Sequence, residues 1–208
     1  MALFAALVLV DQVDLDVADL AAGAAVGQRN PRWYVDAMET QLGLGASPDR
    51  IEATFRDGKQ RFDLYDGLYL QMARTYLPQW HGSPATIAPM MTRILQGLPA
   101  QRADALYARM WLLIQGSTRT DMYKLGADWG RMQKGLRALI SLYPRSNYNR
   151  SLLLAMACHA RDGETYRSMR ASLDGEIAVE VFRWGVTLDE CDERWAPAYS
   201  RAAMNAAE

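Results

Sequence analysis

The sequence predicts an all-α protein built of antiparallel helix pairs stacked as a short α-solenoid. Three observations carry that reading. Apolar residues recur at helical spacing, strand patterning is nearly absent, and prolines with capping residues punctuate the chain at helix-sized intervals. The 208 residues are 50% apolar and 23% charged, which suits a folded domain and excludes a disordered or fibrous chain. The whole chain, residues 1–208, reads as one helical domain of eight to ten helices, each of about 9–18 residues.

Taken in order, Ala2 to Val10 is the only long apolar run, and its nine residues fall short of the roughly 20 needed to cross a bilayer core. No Lys or Arg precedes Arg29, so the basic leader of a signal peptide is missing, and a cytoplasmic location is expected. Asp11, Asp14, Asp16 and Asp19 alternate with Val13, Leu15, Val17 and Leu20, which continues the run as a core helix with an acidic solvent face. Residues 1–45 therefore read as a cap or as a truncated start. Gly27 to Pro31, Gly43-Leu44-Gly45 and Gly116-Ser117-Thr118 read as short connections.

Ser47-Pro48-Asp49-Arg50 and Ser83-Pro84-Ala85-Thr86 each place a hydroxyl before a proline at the first helical position, where its missing N–H is harmless. Leu98-Pro99 and Tyr143-Pro144 divide neighbouring segments, because proline cannot donate within a helix. Phe62, Tyr65, Tyr69, Met72 and Tyr76 form one apolar stripe, with Gly67 as a point of interruption. Leu106, Met110, Leu113 and Ile114 form a second, and Met132, Leu136, Leu139, Ile140 and Tyr143 a third. Leu68 to Ala73 echoes Leu152 to Ala157, and each follows a helix with a matching apolar set, around Ile51 and Phe55 or around Met132 and Leu136. Such paired helices bury their faces only against a neighbour, as a solenoid requires.

The formal charge of -1 lacks the basic excess of a nucleic-acid binder. It conceals an asymmetry. Arg119 to Arg170 holds ten basic and four acidic residues (10 − 4 = +6), whereas Asp174 to Arg194 holds two basic and seven acidic (2 − 7 = −5). Arginine makes up 20 of the 23 basic residues, which favours planar, bidentate contacts with carboxylates. Two accounts stay open: the two regions pack together, or a basic concave surface grips an acidic partner.

No catalytic constellation emerges. His81 and Ser83 are too close in sequence to aim imidazole at hydroxyl, and Ser83 is explained as a helix cap, with Trp80 filling space between helix pairs. Cys158 and His159 are adjacent on a helix and point about 100° apart; the histidine suits the helix C-terminus. Cys158 and Cys191 read as buried free thiols, with a disulfide left open for an exported chain. Asp189, Glu190, Asp192 and Glu193 read as a solvated acidic face, without the spacing of a calcium loop. No cofactor or metal is expected.

Tyr76-Leu77-Pro78-Gln79-Trp80-His81-Gly82-Ser83-Pro84 resembles the signature loop of a bacterial family catalogued as the domain of unknown function 4034. Asp104 to Arg109, Asp128 to Met132 and Leu142 to Ser146 resemble its later segments, as do Trp184 and Cys191 to Trp195. The likeness spans about residues 50–195; His81 departs from the family's usual glycine. It implies a TPR-like helical fold and carries no activity or catalytic residue. The function expected is a non-enzymatic helical-repeat module that binds a protein, such as a bacterial immunity or regulatory protein, through Trp80, His81, Tyr107, Trp111, Asn147, Tyr148 and Arg150. The expected partner is a protein, acidic in the sharper version, with no nucleic acid and no membrane. A small helical enzyme with a pocket among aromatic and Met-rich helices, and a homo-oligomeric structural subunit, stay open as alternatives.

Overall fold

The computed structural model describes residues 27–118, 120–173, 176–182 and 185–200. The apolar and acidic opening at residues 2–20 and Trp184 lie outside the described residues. Among the described residues there are nine α-helices, two short 3-10 turns and no strand. The contacts divide the chain into two units, one through Met90 and one from Met91.

The first unit holds α1 (Pro31–Gly43), α2 (Pro48–Arg61), α3 (Asp66–Thr75) and the start of α4 (Pro84–Leu95), which contains Pro89. Helices α1, α2 and α3 each touch the other two. Asn30 caps α1 by accepting the Arg32 N–H at 2.9 Å, and Pro31 supplies the preset φ of a first turn. Helix α2 begins at the anticipated proline, yet Ser47 makes no side-chain capping bond. At α4 the roles of the cap are shared: the Thr86 hydroxyl accepts the Ser83 N–H at 2.8 Å. The stripe from Phe62 to Tyr76 is broken, because α2 ends at Arg61 and α3 begins at Asp66; Tyr69 and Met72 stay in the core.

Tyr34 is buried, and its hydroxyl donates to Asp57 Oδ2 at 2.7 Å. Burial, then the Asp57 hydrogen bond, push its pKa from 10.0 up to about 12. The folded state therefore holds the phenol neutral where the unfolded chain ionises. That stability is fully present below about pH 10 and is lost as the pH rises towards about 12. Denaturant midpoints measured at pH 9 and pH 11.5 are expected to fall more for the wild type than for Tyr34→Phe. Equal falls would exclude Tyr34 as a source of alkaline sensitivity.

The second unit holds α5 (Ala100–Thr118), α6 (Trp129–Leu142), α7 (Asn147–His159), α8 (Gly163–Ser172), a 3-10 turn at Val179–Val181, α9 (Leu188–Trp195) and a 3-10 turn at Pro197–Tyr199. Each of α5 to α8 packs on the next, and α7 also touches the Val179–Val181 turn and α9. Helix α5 runs through Gly116 to Thr118, where a connection is expected from the sequence. The Ser117 and Thr118 hydroxyls donate back to the Leu113 and Ile114 carbonyls at 2.8 and 2.9 Å, so these turn-forming side chains are absorbed by the helix. Gly135 sets the approach of α6 to α5: a Cβ there would lie 2.1 Å from the Asp104 carbonyl oxygen.

Side-chain caps mark the helix starts. Asp128 accepts the Arg131 N–H at 2.7 Å, Ser146 the Asn149 N–H at 3.2 Å and Asp162 the Thr165 N–H at 3.0 Å. Thr187 and Glu190 form a reciprocal capping box on α9. The two echoing segments lie in α3 and α7, and both are largely buried. The helices before them, α2 and α6, have 14 residues each.

Two expectations about the C-terminal region are corrected. Cys158 and Cys191 are joined in a disulfide rather than standing as free thiols. Asp192 is not part of a solvated acidic face: it is buried, accepting Arg170 Nε at 2.9 Å and the Tyr166 hydroxyl at 2.6 Å. On α9 the buried residues are the disulfide-bonded Cys191 and the adjacent Asp192, whose charge Arg170 meets.

Candidate functional site

The seven residues singled out in the sequence separate into three environments. Trp80 and His81 lie in the turn after α3. There the Trp80 and Gly82 N–H groups donate to the Leu77 carbonyl at 2.9 and 3.1 Å, and His81 N–H donates to Thr75 O at 3.4 Å. The turn is so tight that a Cβ at position 82 would sit 1.7 Å from the Tyr76 carbonyl oxygen, so glycine is required. Trp80 does not fill an interior space as expected; the residue is 49% exposed.

Tyr107 and Trp111 are core residues of α5, which withdraws them from any partner surface. Their rings meet edge-to-face at 6.1 Å. The Tyr107 hydroxyl accepts the Asp128 N–H at 2.8 Å. The Arg131 guanidinium lies 4.3 Å from the Tyr107 ring centroid while its Nε donates to Asp104 at 2.9 Å. This aromatic and arginine combination, which in sequence looks like an interface anchor, fastens α6 to α5.

Asn147, Tyr148 and Arg150 share the first turns of α7. The Asn147 amide donates to Glu176, and Arg150 Nη2 donates to the Pro144 carbonyl at 2.6 Å. Tyr148 is exposed, and so are neighbours that the sequence reading missed. Leu142 and Tyr143 at the end of α6 are 59% and 58% exposed, Tyr148 is 45% exposed, and Val179 is 62% exposed. Val179 is brought to α7 by the Ala178 N–H, which donates to Ser151 Oγ at 3.0 Å. Tyr143 falls off its stripe because α6 ends one residue earlier; its φ of −129° turns the side chain out of helical register.

The sequence around Leu142, Tyr143 and Tyr148 is basic, whereas Val179 is flanked by Glu176 and Glu180, and Glu176 accepts from Asn147. No acidic residue occurs between Asp128 and Asp162, whereas that stretch carries Arg131, Lys134, Arg137, Arg145, Arg150 and Arg161. Lys134, Arg137 and Arg145 are exposed. The exceptions to the predicted basic surface are Arg131 and Arg170, which the fold uses internally against Asp104 and Asp192. The Arg170–Asp192 pair joins the basic middle to the acidic end, as the packing account expects, while Lys134, Arg137 and Arg145 face solvent.

A second feature of this unit is a cleft of about 360 Å³ beside the Cys158–Cys191 disulfide. Its lining includes Asp121, His159, Arg161, Glu190 and Arg194. His159 Nε2 lies 3.3 Å from Asp121 Oδ1, and the His159 ring sits 5.4 Å from that of Tyr123. Burial pushes the Tyr123 phenol well above its ordinary range, aided by the nearby Asp121 charge. The Glu190 carboxyl is held down by the Thr187 N–H and then by the Thr187 hydroxyl. The cleft brings charged groups together but supplies no serine or thiol nucleophile against a base; its sulfurs are bonded to each other.

Among the described residues no group of three His, Cys, Asp or Glu side chains gathers to hold a metal ion, and no helix is long and apolar enough to cross a membrane. No protein-family model, no curated protein and no solved structure matches the chain.

Proposed function

We propose that the chain is a non-enzymatic helical-repeat module that binds an acidic protein partner at the junction of α6 and α7. The observation that carries this reading is the group of exposed Leu142, Tyr143 and Tyr148 within a stretch, residues 129–161, that bears arginines and no acid. Exposed aromatic side chains rimmed by arginine are the composition of an interface centre, where apolar area supplies affinity and charge selects the partner. The repeat reading is supported by the succession of contacts from α5 to α8 and by the matched placement of the echoing segments in α3 and α7. The family resemblance enters on the same footing, through its TPR-like helix pairs. Immunity or regulatory action against an acidic protein is the form of function that suits such a surface.

The disulfide favours an oxidising compartment over the cytoplasm expected from the sequence, since paired cysteines persist where thiols are not kept reduced.

The test is affinity capture with the purified chain, identification of the bound protein by mass, and titration of the two purified partners. Tyr143→Ala with Tyr148→Ala, and separately Arg145→Glu, are expected to weaken the complex at least about tenfold without changing helical content, with the charge reversal acting mainly at low salt. An acidic partner bound equally well by these variants sinks the reading. So does a concentration-dependent self-association that the same substitutions abolish, because the surface would then belong to a second copy of the chain.

A further inference from the structure

The cleft beside the disulfide is lined by two carboxylates and two guanidiniums that differ in how they are engaged. Its two carboxylates are already occupied by local donors. Asp121 Oδ1 accepts the Tyr123 N–H at 3.0 Å and faces His159, while Glu190 Oε2 accepts both the N–H and the hydroxyl of Thr187 at 2.9 Å. Its two guanidiniums are not. Among the described residues neither Arg161 nor Arg194 donates a side-chain hydrogen bond or closes an ion pair, although Arg194 is near enough to Glu190 to favour its charged form.

The position of Arg161 adds a second, independent observation. Helix α7 ends in a complete Schellman motif: the Arg161 N–H donates to Cys158 O at 3.0 Å and the Asp162 N–H to Ala157 O at 2.8 Å. The residue at the turn, Arg161, has φ 60°, and it is the one non-glycine residue with positive φ among those described. Glycine occupies such a site without steric penalty, whereas an arginine Cβ crowds the following carbonyl. Backbone strain is thus tolerated at the residue that brings a guanidinium to the cleft.

The two arginines are also placed by one covalent bond. Arg161 follows Cys158 by three residues, and Arg194 follows Cys191 by three. Within α9 that spacing sets Cys191 and Arg194 on the same side of the helix. The disulfide holds the two cysteine Cα atoms 5.9 Å apart, and so holds the two arginine-bearing helix ends against one cavity.

We infer that this cleft is a binding site for a small polyanion, clamped between Arg161 and Arg194 through its carboxylate or phosphate oxygens. The volume of about 360 Å³ lies in the range of small-molecule sites, and guanidinium pairs bind such oxygens bidentately. The site is separate from the α6–α7 surface and does not depend on a protein partner binding there.

Citrate and inorganic pyrophosphate serve as probes, titrated into the full chain at low ionic strength and followed by calorimetry and amide shifts. One anion per chain is expected, with citrate the tighter ligand if the site takes carboxylates and pyrophosphate if it takes phosphates. Arg161→Gly is expected to weaken binding at least about tenfold while raising the unfolding temperature, because glycine relieves the strained turn. Arg194→Gln is expected to weaken binding similarly without that gain, and Cys158→Ala with Cys191→Ala to weaken it by loosening the clamp. Absence of saturable binding of either probe overturns the inference. So does binding that Arg161→Gly and Arg194→Gln leave unchanged.

Discussion

Asp192→Ala is expected to destabilise the second unit by about 3–5 kcal/mol, because it strands a buried guanidinium. Asp192 is 1% exposed and Arg170 8% exposed, and Arg170 Nε donates to both carboxylate oxygens at 2.9 and 3.2 Å. The Tyr166 hydroxyl donates to the same carboxylate, and burial with that contact keeps the phenol neutral far above its usual range. The Arg170 guanidinium also stacks 4.3 Å from the Tyr199 ring centroid. Deleting the carboxylate leaves one cation and one hydroxyl desolvated and unpaired, which is the costly case. Removing the whole network is different. Tyr166→Phe, Arg170→Met and Asp192→Leu together should recover most of the loss, since no buried polar group is then orphaned. Denaturant unfolding of the single and triple variants checks both statements. A loss below about 1 kcal/mol for Asp192→Ala would mean that water reaches the pair.

Breaking the Cys158–Cys191 bond is expected to cost about 3–4 kcal/mol, the chain-entropy value for a loop of this length. The bond spans 33 residues of sequence and encloses α8, the Val179–Val181 turn and the start of α9. These are short elements: α8 has ten residues and α9 eight, too few to be stable helices without tertiary support. Cys158→Ala with Cys191→Ala is the suitable variant, because serines would place hydroxyls at two buried positions. Its unfolding midpoint should fall well below that of the oxidised wild type. Both cysteines are buried, so a thiol reductant is expected to act quickly only once denaturant opens the fold. Coincident midpoints for the wild type and the alanine pair would show that the bond constrains nothing. Cys191 and Asp192 are adjacent, so the two losses are expected to combine to less than their sum.

Helix content was legible because its signals are local. Proline at a first helical position needs no tertiary information to start a helix, and Pro48 and Pro84 each do so; Pro31, read as the end of a connection, starts α1 in the same way. The same locality explains the errors. Gly116-Ser117-Thr118 has turn composition, but buried neighbours along α5 and back-bonding hydroxyls carry the helix through it. Tyr143 continues an apolar stripe by arithmetic and leaves it in space, because the helix stops before it.

The candidate surface was half legible. Asn147, Tyr148 and Arg150 stand at the α6–α7 junction, whereas Tyr107 and Trp111 have the same interface-like composition and are core. Residue type alone does not separate a stacked arginine–tyrosine pair inside a protein from one at its surface; Arg131 on Tyr107 is the inside case. Arg161 and Arg194 stood apart in the sequence reading because nothing local links them. Their relation passes through a bond between cysteines 33 positions apart.

The amino-acid sequence by itself determined that this protein is helical, where many of its helices begin, and that its middle is basic and its end acidic. Hydrophobic period, proline geometry and charge are properties of short stretches of chain. The tertiary structure alone decided which charges face solvent, which aromatic residues are core, and that two distant arginines share a cleft. Those outcomes depend on desolvation and on contacts between segments far apart in sequence, and no window along the chain contains both partners.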